Sequence, residues 1–127
     1  MRFPKELRYT KDHEWAKAEG TAVTIGITEH AQSSLGDIVF VELPQPGRQL
    51  KEHETFGVVE SIKAVSDLYS PVAGKVAASN SALSDNPSSV NQDPYGSWMI
   101  RLDGVDMKAL TQLMDADSYA KYVESLK

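Results

Sequence analysis

A chain of 127 residues, 41 % hydrophobic and 24 % charged, is sized for one domain with a single core. It has no cysteine, which removes disulfides, thiolate nucleophiles and cysteine metal sites, so any sulfur redox chemistry must come from an attached group. A net charge of −5 argues against a general nucleic-acid or anionic-membrane surface, and no run of roughly 18 apolar residues is present to span a membrane.

The N-terminus, Met1-Arg-Phe-Pro-Lys-Glu, carries neither an apolar signal core nor an Arg/Ser-rich presequence. A cytoplasmic protein is therefore expected, or a mitochondrial-matrix one if a presequence has been removed. Leu7 to Tyr9 predicts a short strand. Asp12 to Lys17 and Ala22 to Ile27 predict a hairpin joined at Glu19-Gly20, with Val23, Ile25 and Ile27 on one apolar face. Thr28 to Leu35 predicts a short helix, with Thr28 as N-cap, Ala31 and Leu35 on one face and Gly36 closing it. Asp37 to Leu43 is a nearly continuous apolar strand, expected to be covered on both faces. Pro44-Gln-Pro-Gly47 breaks it, Arg48 to Leu50 restarts an extended segment, and Lys51 to Glu54 turn. Residues 80–91 predict a loop with helical turns, and Trp98 to Leu102 a last strand. Asp106 to Met114 and Asp117 to Leu126 predict two helices; in the second, Tyr119, Tyr122, Val123 and Leu126 form a stripe for packing against the sheet. The core is expected over about 20–103 and the C-terminal helical segment over about 106–126.

The segment Thr55 to Val76 reads as two extended stretches joined by a reversal at Lys63. Thr55 to Ile62 is the first, answered by Leu68 to Val72 and Gly74 to Val76. A lysine at a hairpin tip projects a flexible amine away from the fold, which suits a covalently attached group that must travel. Pro44-x-x-Gly47 recurs as Pro71-x-x-Gly74, a faint echo of two similar halves.

Glu60-Ser-Ile-Lys-Ala64 followed by Ser70-Pro-Val-Ala-Gly74 resembles the lipoyl-lysine hairpin of lipoyl domains. Biotin carriers have methionine on both sides of their lysine; here the flanks are Ile62 and Ala64. His13-Glu-Trp15, Gly26-Ile-Thr-Glu-His-Ala-Gln32, Leu35-Gly-Asp-Ile-Val-Phe-Val-Glu-Leu-Pro44, Val90-Asn-Gln-Asp-Pro-Tyr95 and Gly96-Ser-Trp98 extend the likeness over essentially the whole chain. Together they resemble the glycine cleavage system H-protein family.

That resemblance implies one lipoyl-carrier domain, 1–127, with lipoate covalently attached at Lys63 and no catalysis or metal site of its own. It implies a mostly β, barrel-sandwich fold of two small antiparallel sheets, with an added N-terminal hairpin, a helix near 28–35 and two C-terminal helices. The carrier would take an aminomethyl group at glycine decarboxylase (P protein) and deliver it to the tetrahydrofolate-dependent aminomethyltransferase (T protein). Dihydrolipoamide dehydrogenase (L protein) would then re-oxidise it. Glu60 and Gly47 would serve recognition by the lipoylating enzyme. Asp12, Glu14 and Asp67 would contact the loaded arm, and Ala31 and Leu35 would line its cleft. Two humbler roles stay open at this point: Glu14 pairing with a lysine on the neighbouring strand, and Asp67 capping a turn. A lipoyl relay, or an acyl-carrier domain of a 2-oxoacid dehydrogenase, needs the same Lys63. A monomer is expected. His13, His30 and His53 lack a Gly-x-Ser-x-Gly elbow or His-Glu-x-x-His pair and read as surface or partly buried polar groups.

Overall fold

The computed structural model describes residues 1–126. Two antiparallel sheets share one core. The larger runs β1 (Arg8–Tyr9), β2 (Glu14–Glu19), β3 (Ala22–Ile27), β9 (Ile100–Asp103), β8 (Gly74–Ser79), β5 (Gln49–Leu50). The smaller runs β4 (Ile38–Glu42), β6 (Thr55–Ser61), β7 (Val65–Tyr69). Val23, Ile25 and Ile27 from the larger sheet meet Ile38, Val41 and Val59 from the smaller, as period-two strands facing each other must. The predicted sandwich with its N-terminal hairpin is what forms.

The other face of the N-terminal hairpin is not left to water. Trp15, Tyr9 and Leu7 pack with Tyr119, Val123 and Ala116 of the C-terminal helix α5 (Ala116–Ser125) in a second cluster. Trp15 stands opposite Gly26, and a Cβ there would come within 2.6 Å of the indole, so only glycine fits under that ring. The Trp15 indole N–H donates to the Pro94 carbonyl at 3.1 Å.

Several expectations are corrected. Strand β4 is covered on one face only: Ile38 and Val41 point inward, while a bulge between Ile38 and Phe40 leaves Val39 and Phe40 exposed. The answering strand of the central hairpin is β7, which starts at Val65; Gly74 to Val76 belongs to β8 in the other sheet. The two echoed glycines have different reasons for being glycine. Gly47 holds a left-handed φ of +98°, whereas a Cβ on Gly74 would press on Val105 and the Asp103 carbonyl. The first C-terminal helix, α4 (Met107–Thr111), is shorter than expected because Met114 leaves it to pair with Tyr9 through both backbone hydrogen bonds. Leu126 caps α5 and is half-exposed rather than packed. Among the described residues no helix is long and apolar enough to cross a membrane.

Candidate functional site

The β6–β7 turn contains three residues, Ile62, Lys63 and Ala64. Ser61 builds it. Its hydroxyl oxygen accepts from the amides of Lys63 (3.3 Å) and Ala64 (3.0 Å), and its own amide donates to the Ala64 carbonyl at 2.8 Å. The Ile62 amide donates to the Asp37 carbonyl at 3.0 Å, which docks the turn on the junction between α1 (Glu29–Leu35) and β4. That junction is held by Asn91, just beyond the middle of α3 (Ser89–Gln92). Its amide group donates to Gln32 (3.0 Å) and to the Gly36 carbonyl (2.8 Å), and its oxygen accepts from Ile38 N–H at 2.9 Å. Helix α1 is capped as predicted: Thr28 Oγ1 accepts from Ala31 N–H at 3.2 Å, and Gly36 ends it at φ +83°.

Lys63 is exposed at the tip, with its stem leaning over the end of α1: a Cβ on Gly36 would lie 3.3 Å from Lys63 Cε. Ala31 and Leu35 are partly buried against the core on the same helix. Glu60 is half-buried, between Phe40 and Val65 on the outer face of the small sheet. Gly47 is not brought to the lysine turn; its amide donates to the Val76 carbonyl in the larger sheet.

β7 leads away from Lys63 to Tyr69. The Tyr69 amide donates to Glu14 Oε2 at 3.3 Å. Lys63 and Glu14 therefore stand near opposite ends of one five-residue strand, roughly 16 Å long at about 3.3 Å per residue. Glu14 is 2 % exposed. The Thr10 hydroxyl donates to its Oε1 at 2.6 Å, and among the described residues it has no ion-pair partner. Burial pushes its carboxyl up to about 7, against the lowering effect of the two hydrogen bonds. The pairing with a neighbouring lysine does not occur.

Thr10 is a residue the sequence reading missed. Its Oγ1 also accepts from the amides of Asp12 and Glu14, both at 3.2 Å. The loop it anchors, Lys11 to His13, is closed by Thr10 N–H on the Glu14 carbonyl at 3.0 Å, with His13 at a left-handed φ of +68°. Asp12 is exposed on this loop and lines a shallow cleft of ≈ 280 Å³ with Thr10, Glu52, His53 and Gln112. Asp67 is exposed in mid-strand opposite Val58, so it caps no turn; it shares β7 with Tyr69 but lies on the solvent side of the sheet.

His13 and His30 lie 4.4 Å apart, ring centre to ring centre. His13 Nδ1 and Tyr119 Oη are 2.8 Å apart, and Tyr119 Oη is 2.8 Å from Thr28 Oγ1. Burial, and then His30, lower the His13 pKa from its ordinary value.

A sequence model of the family described as glycine cleavage H-protein matches residues 7–126. The chain belongs to that family. The glycine cleavage system H protein of Myxococcus xanthus is 52 % identical over 124 residues, covering 97 % of this chain and 96 % of that one. The H protein of Staphylococcus saprophyticus is likewise 52 % identical, covering 97 % and 98 %. The crystal structure of an H protein from Mycobacterium marinum superposes with a TM-score of 0.86 at 36 % identity, covering 95 % of this chain and 98 % of that one. Family motifs now acquire physical reasons: Gly26 clears the Trp15 indole, Asn91 ties the α1–β4 junction, and Ser61 shapes the lysine turn.

Proposed function

We propose that this chain is the lipoyl-lysine carrier of a glycine cleavage system, with lipoate attached to Lys63. It would move the aminomethyl group of glycine from the P protein to the T protein, with the L protein re-oxidising the carrier. The observation that carries this is the pairing of an exposed, rigidly rooted lysine with a buried carboxyl group that has no counter-ion among the described residues, about one strand away. The separation is of the order an extended lipoyl-lysine side chain covers. When attached, lipoate supplies the dithiol–dithiolane chemistry that this cysteine-free chain lacks.

The chain's own contribution is placement and shelter, without a catalytic centre of its own. Ser61 and Asp37 fix the root of the arm, so the tethered end samples a restricted volume at high effective concentration. Glu14 offers an anion in a site largely closed to water, which suits a cationic amine and slows its loss by hydrolysis. Arrival of a cation would favour the ionised form of Glu14, reversing the effect of burial. Asp12 and Asp67 flank the approach from the exposed side, and Ala31 and Leu35 give the arm an apolar rest beside α1. Glu60 stays with recognition by the lipoylating enzyme, whereas Gly47 lies against the larger sheet, away from Lys63, and would act there only by shaping its own turn. A monomer in a bacterial-type cytoplasm fits this role and the bacterial relatives.

The test is peptide mass spectrometry after incubation with a lipoylating system, beside Lys63→Arg. A lipoyl-sized increment on the Lys63 peptide, absent in the variant, is expected. Reconstitution with the P protein should then exchange labelled bicarbonate into glycine. No increment from a competent system would overturn the carrier reading, and modification without exchange would replace the shuttle by a lipoyl relay.

A further inference from the structure

The outer face of the small sheet is unlike the rest of the surface. Among the described residues, the exposed large apolar side chains are Met1 and Leu126 at the chain ends and a group of four around the lysine turn. Those four are Val39 (55 % exposed), Phe40 (47 %), Ile62 (71 %) and Val65 (68 %). Strand register makes them neighbours. Phe40 stands opposite Glu60, and Glu60 opposite Val65, so the three form one row across β4, β6 and β7. The next row is Glu42, Val58 and Asp67. The bulge at Val39 turns a further apolar side chain to the same solvent side. No lysine or arginine occurs in the three strands, so the face is apolar with acids at its centre (Glu60) and along one edge (Glu42 and Asp67), and Lys63 projects from its end.

We infer that this face, anchored by Phe40 and Val65, is the docking surface for the enzyme that acylates Lys63, which must present an apolar groove rimmed by lysine or arginine. The inference rests on the carrier reading and extends recognition from Glu60 to strand β4. Reach decides among partners. A protein acting on the far end of a long arm need not touch the arm's root. The attaching enzyme acts on Nζ itself: the neutral amine displaces adenylate from a lipoyl-adenylate, an amide bond forms, and AMP and a proton leave. It must therefore cover the surface around the root of Lys63, where Ile62 is the preceding residue, Val65 opens the following strand and Phe40 shares its row. Burying them would supply affinity, and the acids would steer a basic rim into register. The serine-braced turn presents Lys63 on a backbone that is already ordered, so only the side chain must be fixed on docking.

The experiment measures lipoylation of the unmodified protein by a purified lipoate ligase with lipoate and ATP, read as intact mass against protein concentration. Phe40→Thr and Val65→Thr each leave a β-branched, strand-compatible residue in place and should each raise KM for the protein by about tenfold, with kcat within twofold. Glu42→Lys with Asp67→Lys should lower kcat/KM at low salt, by a factor that shrinks as salt rises. Leu126→Ser, an exposed apolar change elsewhere, should leave KM unchanged, and thermal unfolding of every variant establishes that it is folded. If wild type is modified and both threonine variants keep wild-type KM, the docking surface is wrong while the carrier reading stands. If wild type is not modified at Lys63, both fall.

Discussion

Glu14 is where a single residue's environment departs furthest from expectation. The family likeness marks it, but its burial comes from the left-handed turn at His13 and from Tyr69, 55 residues away in sequence. Its carboxyl titrates near 7 in the fold and near its ordinary 4.5 in the unfolded chain. Between those values the folded state holds a proton that the unfolded state has released, so stability falls as pH rises through the window. Glu14→Gln removes this dependence. The variant should exceed wild type by roughly 3 kcal/mol at pH 8 and converge with it at pH 4, read by urea unfolding. A stability difference that does not change between those pH values would refute the assignment. The same variant, lipoylated and loaded with glycine's aminomethyl group, should release formaldehyde and ammonia faster, since a neutral amide cannot pair with the amine. An unchanged lifetime would remove Glu14 from the cargo site. Asp67 is less sharply placed: it is exposed, and its place in mid-strand is set by pairing with Val58.

At the scale of elements, the lysine hairpin works because other segments brace it. Ser61 acts locally, two residues before Lys63, and that signal was present in the sequence as a serine opening a turn. Asn91 acts from a separate helical turn, joining Gln32, Gly36 and Ile38. Asn91→Ala leaves Ile38 N–H and the Gly36 carbonyl without those partners and should cost about 2–3 kcal/mol. The Ile38 and Ile62 amides should exchange at least tenfold faster with solvent, because the junction carrying the Asp37 carbonyl loosens. Unaltered protection at Ile62 would show that the hairpin stands without this brace. Strand β4 makes the complementary point. Its continuous apolar run reads as a doubly covered strand, yet it is an edge of a three-stranded sheet with one face open. Hydrophobic patterning reports the tendency to be covered; it does not say whether the cover is part of the same chain.

Across the whole molecule, Tyr119 joins regions far apart in sequence. Its ring stacks on Tyr9 at 4.5 Å, and its hydroxyl meets His13 of the N-terminal hairpin and Thr28, the cap of α1. The C-terminal helix thus secures both the loop that buries Glu14 and the helix on which Lys63 leans. Tyr119→Phe preserves the stack and deletes the hydroxyl. It should lower stability by about 1–3 kcal/mol with an unchanged denaturant slope. A loss below 0.5 kcal/mol, on the order of a neutral surface change, would mean that ring packing alone secures α5. The sequence by itself determined the alternating strands, the capped helix α1, the packing stripe of α5 as far as Val123 and the lysine turn, because each depends on local spacing or a contiguous motif. Tertiary structure alone decided which strand answers β6, that Met114 pairs with Tyr9 instead of ending a helix, that Glu14 has no counter-ion among the described residues, and that β4 keeps an open face. These depend on which distant backbone groups and side chains arrive beside a residue, and local periodicity carries no record of them.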